Sequence, residues 1–173
     1  NTRGQVSSNF NTGGSTLSPG KVIEIGEEFD RQVNSAYNKR TQNIRSLSGI
    51  LAGDVSLASV DVDPSDAVAV ALKAAAEAVG ATKGGAKKIM ERASRAKAIV
   101  KTLNEEIDVI NRSIENAGRR AGKDSKTIEA SKIRHVEFED ISGGVSEAAW
   151  LKSRAKAERP ADHVIGDIRE TPL

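Results

Sequence analysis

Residues 86–117 read AKKIMERASRAKAIVKTLNEEIDVINRSIENA, and the architecture follows from the spacing of their apolar side chains. Ile89, Ala93, Ala96, Val100, Leu103, Ile107, Ile110, Ile114 and Ala117 step by alternating fours and threes. That alternation keeps one stripe of an α-helix facing a packing partner, as in a heptad seam. At a rise of 1.5 Å per residue the helix would be roughly 48 Å long. The same register runs back through Val79, Ala75, Leu72 and Val68, and Gly80, Gly84 and Gly85 between them argue for a break or hairpin.

Upstream, Val33, Tyr37, Ile44, Leu47 and Leu51 share one face at helical spacing, with Arg40 in the skipped position. A helix over about 27–52 is expected there, its end weakened by Gly49 and Gly53. Asp63-Pro64-Ser65-Asp66 reads as a helix start, with Asp63 as cap, Pro64 in the first turn and Asp66 at the positive dipole end. The helix that follows should run over about 64–79. Residues 54–62 alternate loosely and could be extended, as could Val22–Ile25 and 133–138.

The ends differ in composition from the middle. Residues 1–20 are rich in Gly, Ser, Thr and Asn, and alone they offer too little apolar surface to offset the entropy of ordering. The expected organisation is an extended polar arm over 1–26, a helical core over 27–118, and a C-terminal arm over 119–173 carrying a short helix at about 145–157. The fold class expected is mainly α: a long central helix packed with one or two others, and little or no sheet.

Composition supports close helix packing over a thick core. Aromatics are 3% of the chain, and much of its 38% hydrophobic content is Ala, which buries little area. With a net charge of +2, the overall balance does not demand nucleic acid or a membrane surface as partner. No apolar run approaches the roughly 20 residues of a membrane span. The absence of Cys excludes disulfides and thiolate chemistry. The compartment is not fixed by the residues, and a virion or the cytoplasm is the expected setting.

Catalytic and cofactor signatures are weak. Gly118-Arg119-Arg120-Ala121-Gly122-Lys123-Asp124 has the glycines one residue too close for a phosphate loop, and Asp124 stands where a hydroxyl is needed. A helix stop explains it better. His135 and His163 are too few and too isolated to form a metal site. Ser146 lacks the second glycine of a nucleophile elbow. The carboxylates of Asp61–Asp66 lack the glycine and terminal glutamate of a calcium loop. Trp150 reads as a packing anchor. No cofactor or metal is expected, and the chain is read as non-enzymatic.

Two functional readings remain. In the first, the chain is a structural subunit of a large oligomeric assembly, with a virus or phage particle as the first context. The seam residues Ile89, Ala93, Ala96, Val100, Leu103, Ile107, Ile110 and Ile114 would then pack helices within or between copies, and the arms would lie on neighbours. On this reading aspartate at Ile107 and Ile110 should abolish assembly before helicity. In the second, the basic run Lys83, Lys87, Lys88, Arg92 and Arg95, continuing to Lys97 and Lys101, contacts nucleic-acid phosphate. No aromatic side chain interleaves with it to stack bases, so the first reading is favoured.

Overall fold

The structure is a computed structural model that describes residues 19–82 and 85–157. It is mostly helical, with no strand among the described residues. Among the described residues six α-helices follow in order: α1 (Pro19–Ala52), α2 (Ala67–Ala81), α3 (Gly85–Arg120), α4 (Ser125–Ser131), α5 (Phe138–Ile141) and α6 (Glu147–Ala157). A 3₁₀ turn, Ser56–Ser59, lies between α1 and α2 where an extended segment was an alternative. Among the described residues no helix is long and apolar enough to cross a membrane.

Helix α1 starts at Pro19, so 19–26 is helical and does not belong to an extended arm. Proline at a helix start is favourable, because its missing N–H would have no partner there anyway. The rest of the expected N-terminal arm lies outside the described residues, as do Lys83 and 158–173. Helix α2 starts later than expected. Asp66 is its cap, accepting from the Ala69 N–H at 3.1 Å. Asp63 instead folds a turn, its Oδ1 accepting from the Ser65 N–H at 2.9 Å. Both aspartates can cap, and the one adjoining the apolar run does so. Helices α2 and α3 are separate elements, as the intervening glycines imply.

The chain forms two compact units, and α1 and α3 contribute a segment to each. Of the described residues, the first unit takes in 19–39 together with Glu106–Arg134. Its core is Phe29, Ala36, Ile107, Ile114, Ala117, Ile128 and Ile133. Gly118 does not stop α3 but lets neighbours approach it. A Cβ at that position would lie 2.7 Å from Ile128 Cγ1 and 2.9 Å from Phe29 Cε1. The stop is Gly122, which adopts φ +75°. Its N–H donates to the Arg119 carbonyl at 3.0 Å, and the next N–H donates to the Gly118 carbonyl at 2.9 Å, which closes a Schellman cap. Asp124 then caps α4 through the Thr127 N–H at 2.8 Å.

The second unit holds, of the described residues, those of Arg40–Glu105 and 135–157. Leu47, Ile50, Leu51, Val68, Leu72, Val79, Ile89, Ile99, Leu103, Val136, Ile141 and Trp150 are buried in it. The end of α1 repeats the cap of α3: Gly53, at φ +88°, donates to the Ile50 carbonyl at 3.1 Å, and Asp54 donates to the Gly49 carbonyl at 2.8 Å. The buried stripe of α1 keeps Leu47 and Leu51 of the expected one, with Val33 and Ile44 half-buried, and departs from it elsewhere. It is centred on Phe29, Ala36, Asn43, Leu47 and Ile50, while Tyr37 is 46% exposed. Ala and Asn at its middle positions hide the stripe from a reading based on apolar bulk. The Nδ2 of Asn43 is buried without an acceptor, an arrangement that costs about 1–3 kcal/mol.

Residues 119–157 differ from an outward-reaching arm. Ile128, Ile133, Val136, Ile141 and Trp150 are buried, and the extended piece between α4 and α5 is gripped by two asparagines of α3. In the first unit, Asn111 Oδ1 accepts from the Ile133 N–H and Nδ2 donates to the Ile133 carbonyl, both at 2.9 Å. In the second, Asn104 treats Val136 the same way, at 2.7 and 3.0 Å. One carboxamide thus satisfies both backbone groups of one residue, which an isolated extended segment cannot do for itself. Arg40 donates to the His135 carbonyl at 2.9 Å, and Ser48 donates to the Ile141 carbonyl at 3.1 Å. Asn111→Ala should cost about 2 kcal/mol in urea unfolding, because it strands a backbone donor and an acceptor in a half-buried place. A loss under half that size would mean water replaces the amide.

The first unit also carries a network of ion pairs and caps. Glu115 receives Lys132 at 2.8 Å and also pairs with Arg119, and Lys132 reaches Glu129 at 2.7 Å. The Lys132 hydrogen bond, aided by the charge of Arg119, holds the Glu115 carboxyl below its ordinary 4.5. Hydrogen bonds from Gln32 and Arg31 lower Glu28, and those from Thr127 lower Asp124. Carboxyls lowered in the folded state stabilise above their unfolded pKa and lose that contribution as pH falls through the folded value. The melting temperature of this unit should therefore decline below about pH 4.5. Lys132 is raised above its ordinary 10.5 by its bonds to Glu115 and Glu129. Its contribution is complete below 10.5 and is lost as pH rises through the folded value. Thermal melts of Glu115→Gln across pH should show a shallower acid decline; an unchanged slope contradicts this assignment.

Candidate functional site

The seam residues are mostly taken up by the chain itself. Ile89, Ala93, Ala96, Leu103, Ile107, Ile114 and Ala117 are buried, with Ile99 beside them. Val100 and Ile110 are half-buried. Side chains at 0–4% exposure are not available to a second molecule without unfolding. The seam is core in each unit, and an outward contact has to be sought on other faces.

The candidate phosphate contacts do not form one surface. Arg92 is 3% exposed. Its Nε donates to the Leu51 carbonyl at 2.9 Å, and its guanidinium lies 5.7 Å from the centre of the Trp150 ring. It therefore serves the last turn of α1, where a cation also complements the helix dipole. Phe138 meets the same indole edge-on at 6.1 Å, and Arg154 lies 6.0 Å from it. Arg95 pairs with Glu91 at 2.6 Å and Lys97 with Glu147 at 3.0 Å. Lys87 and Lys101 are exposed and Lys88 is half-exposed. Lys83 lies outside the described residues.

A groove of about 520 Å³ opens in the first unit between α1 and α3. Helix α1 lines it with Arg31, Gln32, Ser35, Ala36 and Lys39, and α3 with Val109, Ile110 and Ser113. The numbers run in opposite senses on the two helices: Phe29 meets Gly118, while Ala36 shares the groove with Val109 and Ile110. The helices are therefore antiparallel in this unit. Small side chains on α1 leave the depression, Ile110 and Ala36 give it apolar character, and Val109 stands at its edge 55% exposed. Arg31 and Lys39 form a basic rim, with Arg31 bonded to Glu28. The lining holds no carboxylate, imidazole or thiol.

Among the described residues no group of three or more His, Asp or Glu is placed to hold a metal ion. No family model, curated protein or solved structure matches the chain.

Of the predicted site residues, only Ile110 reaches the groove. Val109 was overlooked because a lone apolar residue next to a seam has no periodic signal of its own. Asn104 and Asn111 were overlooked too, although two asparagines seven residues apart on one helix face do mark a repeated polar function.

Proposed function

We propose that the chain is a non-enzymatic structural subunit of a larger oligomeric assembly, with a virus or phage particle as the first setting to test. The observation that carries this reading is the groove between α1 and α3, with Val109 exposed beside half-buried Ile110 and the buried Ala36. Single exposed apolar residues are ordinary. An exposed valine at the edge of an apolar depression is more telling, because its burial against a partner releases water from both.

The nucleic-acid reading recedes, because Arg92 is buried and Arg95 and Lys97 face carboxylates. Among the described members of the run, Lys87, Lys88 and Lys101 are left to contact phosphate.

The test is the mass of the chain, both purified and in extracts of its native source, by sedimentation velocity. The assembly reading expects the native chain to sediment well above monomer mass with other subunits. A chain that runs as a monomer in both preparations contradicts it.

A further inference from the structure

We draw no further inference here: the strongest candidate, the outward face of α2 in the second unit, where Ala67, Val70, Ala74 and Ala81 stand exposed at helical spacing, is a stripe of small residues, and nothing in the structure shows what covers it.

Discussion

Replacing Ile107 by aspartate should unfold the first unit, at a cost of about 4 kcal/mol or more. The side chain is 1% exposed. The substitution removes a packed aliphatic group and puts an unpaired carboxylate in its place, and each change is costly alone. Helicity and compactness should fall together in circular dichroism and urea titration. Ile110→Asp should be milder, because Ile110 is half-buried at the groove and its carboxylate can reach water. Val109→Asp should leave the fold intact at 55% exposure. The expectation that aspartate at Ile107 and Ile110 would cost assembly before helicity therefore divides. The first position reports on folding, and on the assembly reading contact effects belong to Val109 and its neighbours. A helical, stable Ile107→Asp chain would refute the placement of the seam in the core.

Arg92→Ala carries the second large effect, a loss of about 3 kcal/mol in urea unfolding. The truncated side chain leaves the Leu51 carbonyl without its donor, and it opens space over the Trp150 ring. Arg92→Lys should recover little, since an ammonium reproduces neither the planar Nε–H donor nor the stacking. Lys87→Ala and Lys88→Ala, in the same basic run, should stay within about 0.5 kcal/mol of wild type. If all three substitutions were equally silent, Arg92 would be a surface cation and the basic run would regain its interest as a phosphate contact.

The long helix was legible because Leu103, Ile107 and Ile114 are bulky, lie at helical spacing and serve a burial that needs bulk. The glycine breaks and the short C-terminal helix around Trp150 were legible for similar reasons. The register of α1 was less so. Ala36 and Asn43 hold its central core positions with little apolar area, while Tyr37, more hydrophobic to the eye, is exposed. Gly118 shows a different difficulty. A glycine near a helix end signals a stop, and only the three-dimensional neighbours Phe29 and Ile128 reveal that it serves close approach. The extended segment at 133–136 depends on carboxamides distant in sequence, so no local pattern could show that the chain folds back there. At the groove, the apolar spacing singles out α3, but of the residues it marks only Ile110 lines the depression. Periodicity finds the side that is buried and says little of the side left over.

The most direct measurement is thermal unfolding of the Val109→Asp chain over a wide range of protein concentrations. With the proposed outward contact removed, a seam that is core within one chain predicts full helicity and a midpoint independent of concentration. A midpoint that rises with concentration, or helicity that disappears on dilution, would mean that the seam is completed by another molecule.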